Sequence, residues 1–389
     1  MVKERRERRF GTSPVPAMNT FAVALLCAAA ATQPAHAQSS VTLYGVVDEG
    51  IDYVNNSGGH SLVRMRDGTW DGVFGSRFGL KGSEDLGGGL KAVFRLESGF
   101  DATNGESLQA GRLFGRSAYV GLSQDAYGTL TFGRQYDLVV DYLQPVTSNG
   151  QFTGPFVHAG DIDNTANSYR IDNAVKYASP TIGGFSVSGM YAFSGSTQVS
   201  TTAMWSVAAS YHQGGLNAAA VYDRVNRPAS FINDGNFIGN TTGAAIGASG
   251  AFSYVGDPRN QQIVGAGASY AMGKATAGFA FTDTRFDDAN GTTASVRFDN
   301  YDVWLRYDIT PATTVGGYDG RHRLVASARA IATGRAPDIC GGSSSRPANS
   351  AAAWRVRGCA ADRPELAAPA APGCVRRDAG SPTTRRHPR

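Results

Sequence analysis

The chain has 389 residues, 49 of them glycine, with 36 Lys+Arg against 32 Asp+Glu and four cysteines. The formal charge of +4 misleads: from Gln38 to Tyr318 there are 18 Lys+Arg and 25 Asp+Glu, a net of −7, which removes any basic-protein argument for nucleic-acid binding. Cys27 precedes that span and Cys340, Cys359 and Cys374 lie beyond it, so no disulfide framework can hold it.

The first 37 residues open on MVKERRERRF, continue through an apolar stretch at Phe21–Ala31 and end on Ala35-His36-Ala37. That order of basic segment, short apolar core and A-x-A site is expected for a cleaved secretory signal, Met1–Ala37, with Met18 as an alternative start. No later apolar run is long enough for a membrane helix.

The chain from Val41 to Asp308 reads as strands. The runs are Val41–Tyr53, Val73–Gly82, Leu90–Gly99, Leu113–Ser123, Thr129–Gln135, Tyr169–Ala178, Phe185–Phe193, Ala203–Tyr211, Leu216–Tyr222, Gln261–Ala271, Ala275–Arg285 and Ser295–Asp308, twelve in all. Many have the length a tilted membrane strand needs.

The stretch Ser76–Phe100 (SRFGLKGSEDLGGGLKAVFRLESGF) shows the pattern. Leu90, Ala92, Phe94 and Leu96 share one parity; Lys91, Val93, Arg95 and Glu97 share the other. Strand side chains alternate between two faces, so one face is apolar and one carries charge. Ser83–Gly89, with three consecutive glycines, is expected to be the turn.

A soluble sandwich and a membrane barrel both permit that alternation. The connections separate them. Those after the even-numbered runs are short, as at Gln124–Gly128 and Met272–Lys274. Those after the odd-numbered runs are mostly long, as at Val54–Gly72, Tyr136–Ser168 and Asp223–Asn260. Tight turns on one side and long loops on the other characterise an outer-membrane barrel. Tyr301, Val303, Leu305 and Tyr307 then give the last run an outward face bounded by tyrosines, as an aromatic girdle would be.

Two residues resist. Arg134 shares parity with Leu130 and Phe132, so either the register changes at Gly133 or Arg134 belongs to the next loop. Glu49 shares parity with Val47 and Ile51.

The segments SSVTLYGVVDEGIDYV, SRFGLKGSEDLGGGLKAVFRLESGF, GRSAYVGLS and YGTLTFGRQYD resemble the trimeric general porins of Gram-negative bacteria, chiefly those of Burkholderia-like and Neisseria-like bacteria. The likeness runs from Ser39 to about Tyr318. It implies an all-β fold, a transmembrane antiparallel β-barrel of about sixteen strands, of which twelve to thirteen are recognisable here. It also implies a third loop, Tyr136–Ser168, folded into the lumen.

The implied function is passive diffusion of small hydrophilic solutes and ions across the cell outer membrane. The implied partners are outer-membrane lipid and lipopolysaccharide, two further copies in a homotrimer, and the barrel-assembly machinery. By motif position, Arg77, Arg134 and Arg170 correspond to the basic wall of the constriction, and Asp161 and Asp163 are candidates for its acidic loop side. Lys81, Lys91, Arg95, Glu97, Asp302 and Arg306 are further lumen-facing charges. No metal or cofactor is implied.

Opposed charges across a narrow wet passage make a strong transverse field, which favours polar solutes over apolar ones. Selectivity stays open at this point, because the net of −7 leans to cations and the arginines lean to anions.

The pattern changes after Tyr318. Residues 319–389 hold thirteen Arg, no Lys, no Phe, no Tyr and one Trp, and the chain ends in Arg-His-Pro-Arg where the family ends in an aromatic residue. The expectation is three parts: signal 1–37, incomplete barrel 38–318, and a tail 319–389 set by a change of reading frame near Tyr318. A disordered basic tail is the other reading.

An enzyme would need a site, and the chain has no G-x-S-x-G, H-E-x-x-H or P-loop. His60, His158 and His212 are isolated, without metal spacing. The alternatives to a general porin are a solute-specific channel, an adhesin or phage-receptor barrel using loop Asp223–Asn260, and a truncated porin without function.

Overall fold

The computed structural model describes residues 40–326 except 70–73, 153–157, 159–160, 196, 198–201, 233–254, 256–257, 290–294 and 312. The expected signal, most of the expected tail and much of loop 223–260 therefore lie outside the described residues.

Fifteen strands are described: β1 (Ser40–Val46), β2 (Glu49–Ser57), β3 (His60–Asp67), β4 (Arg77–Gly87), β5 (Leu90–Gly99), β6 (Ser117–Gln124), β7 (Gly128–Gln135), β8 (Ile171–Ala178), β9 (Phe185–Ala192), β10 (Met204–Gln213), β11 (Leu216–Asn226), β12 (Asn260–Met272), β13 (Ala275–Asp287), β14 (Val296–Thr310) and β15 (Thr313–Ala326). Thirteen form one antiparallel sheet in the order β1-β4-β5 and then consecutively to β15, while β2 and β3 make a separate hairpin. Among the described residues the sheet is open, with β1 paired only to β4 and β15 only to β14.

The alternation is realised. Tyr301, Val303, Leu305 and Tyr307 of β14 are 46%, 63%, 54% and 49% exposed, while the interleaved Asn300, Asp302 and Trp304 are at most 2% exposed. Side chains with the same parity point to one face, so these values fix which face of the sheet points outward. Outward aromatic pairs sit at both ends of the apolar outward stripe. Phe185–Tyr211 lies towards the short turns; Trp205–Tyr222 and Phe281–Tyr301 lie towards the long loops. Such belts mark the two membrane interfaces. Phe279, 55% exposed on β13 between the belts, tests the assignment. Phe279→Arg is expected to lower folding stability in lipid vesicles by about 2–4 kcal/mol; a neutral result would place that face in water.

Several boundaries differ from the sequence reading. Val41–Tyr53 is two strands, because β1 loses its partner where β4 begins (Val46↔Arg77) and the chain then pairs with β3 instead. Asp48 fixes the break: its N–H donates to Ser76 Oγ (3.0 Å) and its carbonyl accepts from Gly68 N (2.8 Å). Glu49 thus starts the separate hairpin, where it accepts from Thr103 Oγ1 (3.0 Å), and needs no place on a lipid face. β3 lies inside what reads as the long loop Val54–Gly72. The turn expected over Ser83–Gly89 is only Gly88–Gly89, since Ser83–Asp85 still pair with Lys91–Val93. Gly87, Gly88 and Gly89 all have positive φ (88°, 62° and 79°), a sequence of conformations that only glycine adopts readily.

Arg134 is explained by a register shift in the β7–β8 ladder between Gly133 and Gln135, with Gly133 at φ 129°. Phe132 stays outward and Arg134 turns inward, where it is buried. A bulge of this kind re-aims one side chain without changing the rest of the strand.

β15 continues past Tyr318 to Ala326 because β14 offers it a full-length partner. Its outward parity changes character, however. Val315 is apolar and exposed, but Asp319 lies directly opposite Val303, and Arg321 lies opposite Tyr301. Asp319 and Arg321 pair at 3.5 Å. The apolar outward stripe therefore stops beside Tyr318.

Candidate functional site

The loop joining β7 to β8, residues 136–170, lies against the inward side of β10–β14. Its first arm carries a wide π-helical turn (Val139–Leu143) and a short helix (Ser148–Phe152). Leu138, Val139, Leu143, Val146 and Ile162 of the loop pack with Met204, Val221, Val225, Ile263, Phe286 and Phe298 of the wall. Those wall residues are on inward parity, where water-lining side chains are expected. They are apolar because the loop covers them, burying apolar area from both partners.

Polar contacts secure the same packing. Trp304 Nε1 donates to Val146 O (2.9 Å), Gln261 Nε2 to Ile162 O (2.6 Å) and Arg306 Nη1 to Gln151 Oε1 (2.8 Å). Trp304 lies on Gly278, where an added Cβ would come within 2.4 Å of the indole. The loop also closes on itself. Asp137 accepts from Val140 N (2.9 Å) and Asn164 Nδ2 (2.7 Å), and Gln144 Nε2 donates to Thr165 O (2.8 Å). Burial pushes the Asp137 carboxyl up to about 7.

The two acidic candidates, Asp161 and Asp163, sit inside this packing and are fully buried. Asp161 accepts from the backbone N–H groups of Ala166 (2.8 Å) and Ser168 (3.0 Å) and shapes the return arm. Burial and then the neighbouring Asp163 raise its carboxyl to about 7. Asp163 bonds His158, Thr165, Thr282 and Asn300. Asp302 accepts from the backbone N–H and the hydroxyl of Ser148 (3.2 and 2.7 Å).

The basic candidates gather on the other wall, β4 to the start of β8. Arg77 Nη1 donates to Gly75 O (3.3 Å). Arg134 bridges Gly115 O (2.7 Å) and the Asp172 carboxylate. The Arg170 guanidinium stacks over the Tyr136 ring at 5.5 Å. Burial, with Arg116 beside it, lowers Arg170 to about 10.

Glu97 is the hub. It is fully buried and accepts from Arg95 Nη2 (2.5 Å), Arg116 Nε (2.8 Å), Tyr44 Oη (2.7 Å) and Tyr136 Oη (3.2 Å). Lys81 lies 5.4 Å from the Tyr44 ring, and Lys91 stands on the inward parity of β5. Burial raises the Tyr136 phenol, but Arg116 and Arg170 outweigh it and hold the phenol below its ordinary range.

Sequence reading missed Arg116, Tyr44, Tyr136 and His158. Arg116 and Tyr136 lie within the very motifs that carry the resemblance, GRSAYVGLS and FGRQYD.

The sequence profile described as Gram-negative porin matches residues 22–335. The chain belongs to this family. The match extends beyond both Ala37 and Tyr318. Relatives include an outer membrane porin protein of Bordetella pertussis, 37% identical over 215 residues, 49% of this chain and 56% of the relative. Outer membrane porin protein 32 of Delftia acidovorans is 39% identical over 177 residues, 43% and 48% of the two chains. The chain spans about half the length of the curated relatives it matches.

Among solved structures, the anion-selective porin from Comamonas acidovorans superposes with a TM-score of 0.58 at 24% identity, covering 74% of this porin and 80% of that chain. A trimer form of OmpT from Vibrio cholerae gives 0.53 at 15% identity, covering 74% and 78%. Both share the fold, and the family places the porin in the outer membrane of Gram-negative bacteria.

Proposed function

We propose that this porin is a passive passage for small hydrophilic solutes and ions, narrowed by loop 136–170, with no catalytic step. One observation carries the reading. The loop packs on β10–β14, while Arg77, Arg95, Arg116, Arg134 and Arg170 gather on β4–β8 and face it. Water and solute would pass between the two. A homotrimer belongs to the proposal, supported by the trimer form of OmpT. Contacts with lipopolysaccharide, and delivery by the barrel-assembly machinery, belong to it as well. So does a barrel-forming part that ends near Tyr318, supported by the charge on the outward face of β15 beyond that residue.

The passage is further proposed to favour anions. Arg77 and Arg95 are part-exposed on the basic wall, beside the buried Arg116, Arg134 and Arg170, and Glu97 and Asp172 are among the carboxylates that meet these arginines. Asp161 and Asp163 are buried behind the loop rather than across the passage. Local charge outweighs the remote net of −7 because screening acts over about 8 Å at physiological salt. The relative described as an anion-selective porin supports the same direction.

The test is the reversal potential of the full chain in planar bilayers under a KCl gradient. Chloride preference is expected, and cation preference or no conductance overturns the reading. Arg77→Gln should reduce the chloride-to-potassium permeability ratio about tenfold, because one charge acting at roughly 6 Å in water is worth about threefold for each ion and in opposite senses.

A further inference from the structure

His158 sits on the return arm of loop 136–170 and is 2% exposed. Its Nδ1 lies 2.5 Å from Asp163 Oδ2 and its Nε2 lies 3.0 Å from Asp302 Oδ1. A carboxylate oxygen accepts and cannot donate, so each ring nitrogen must carry a proton. The ring is an imidazolium between two carboxylates, one on its own loop and one on β14.

The connections beyond this triad are specific. Asp163 Oδ2 also accepts from Thr282 Oγ1 on β13 and from Asn300 Nδ2 on β14 (3.1 Å). The second oxygen of Asp302 accepts from Ser148 N and Oγ, on the first arm of the loop. One carboxylate thus holds both arms, the first through Ser148 and the return arm through His158. Residues 136–170 have many apolar contacts, but this is where both arms meet the wall in one charged group.

Resting on the reading of loop 136–170 as the lining of the passage, we propose that His158 is a positioning residue of the constriction. Its two ring protons lock the return arm to β14 and so set how far the loop stands into the passage. Asp302 is the fixed end of the lock and Asp163 the loop end.

The titratable groups facing the ring are Asp163 and, behind it, Asp161 on the loop, Asp302 on β14 and His322 on β15, with Tyr318 of β15 beside Asp302. The His322 ring lies 5.6 Å away and bonds Asn300 Oδ1 through Nδ1 (2.8 Å). Burial opposes the charge on His158, but Asp163 and Asp302 hold it well above the ordinary histidine range. For a raised histidine, the attachment is complete below the ordinary value and is lost as pH climbs through the folded value. Asp163 is held well below the usual carboxylate range, so the acid limit lies far from neutrality. The lock should hold through neutral pH and open in alkali.

The experiment compares the full chain with His158→Gln, His158→Lys and Asp302→Asn. Glutamine can donate to one carboxylate but not to both; lysine keeps the charge and can donate to both. In planar bilayers His158→Gln and Asp302→Asn should interrupt the open current on the order of tenfold more often, the scale of a lost charge-assisted hydrogen bond. His158→Lys should restore quiet conduction, which a packing role alone would not.

Chymotrypsin provides a readout that needs no conductance. Tyr142 and Phe152 in the loop should be cut in folded His158→Gln and protected in the parent and in His158→Lys. If the parent does not conduct but this protease pattern appears, the passage reading fails and the lock stands. Unchanged current and unchanged protection in His158→Gln overturn the lock. Should the variants not fold, the parent alone decides: cleavage that rises in the alkaline range upholds the lock, and cleavage flat with pH overturns it.

Discussion

Glu97→Leu should cost about 3–5 kcal/mol of folding free energy, the range for breaking a buried ion pair from one side. The variant removes the acceptor shared by Arg95, Arg116, Tyr44 and Tyr136. Arg116, itself buried, then keeps its charge without the carboxylate that holds it. Urea-dependent unfolding in lipid vesicles measures the loss. A double variant with Arg116→Met should recover part of it, because both buried charges leave together. A loss below about 1 kcal/mol would mean that water already solvates this cluster as it does a surface pair. The same variant should leave chloride preference intact or increase it, since it removes a negative charge from the basic wall.

Leu143→Ala should cost about 2–5 kcal/mol and loosen the loop. Leu143 is fully buried where the first arm meets the inward wall. It fills the space above Gly265, where an added Cβ would approach its Cδ2 to 2.3 Å. The alanine leaves a cavity between the first arm of the loop and β12. The expected signature is a fall in unfolding free energy together with chymotryptic cutting at Tyr142. A stability change without cutting would mean that the loop relaxes onto the wall and keeps its place. Comparison with His158→Gln separates apolar attachment of the first arm from charged attachment of the return arm.

Strand parity and the sorting of short turns from long loops were legible because each depends on residues close in sequence. Lys91, Arg95 and Glu97 against Leu90, Phe94 and Leu96 already state which side is wet. The positions of Arg77, Arg134 and Arg170 on one wall follow from the motifs that surround them. The bulge at Gly133 was legible only as a conflict of parity, and the ladder to β8 was needed to resolve it.

The loop was the least legible part. Asp161 and Asp163 read as charges facing a lumen, whereas their partners, Ser168, Thr282 and Asn300, lie on segments whose approach no local pattern announces. His158 looks isolated for the same reason, since Asp302 is 144 residues away. A weak signal did exist: Met204, Val221 and Ile263 are apolar on the parity that should be wet. An apolar inward face means that something covers it, and loop 136–170 is what covers it here. The hairpin of β2 and β3 was hidden because Val41–Tyr53 reads as an unbroken strand until the end of β4 deprives it of a partner.

The two-residue repeat of the wall also governs which changes of length this protein can accept. Inserting one residue into the middle of β13 would exchange the media of every side chain up to the next turn, sending Thr282 towards lipid and Phe281 towards water. Gains or losses of length are harmless only in the long connections, or where a bulge like that at Gly133 absorbs the extra residue. The strands can drift by substitution within each parity, whereas insertions and deletions are confined to the loops. Sequences related to this one should therefore differ in length at the loop side and agree in length at the tight turns.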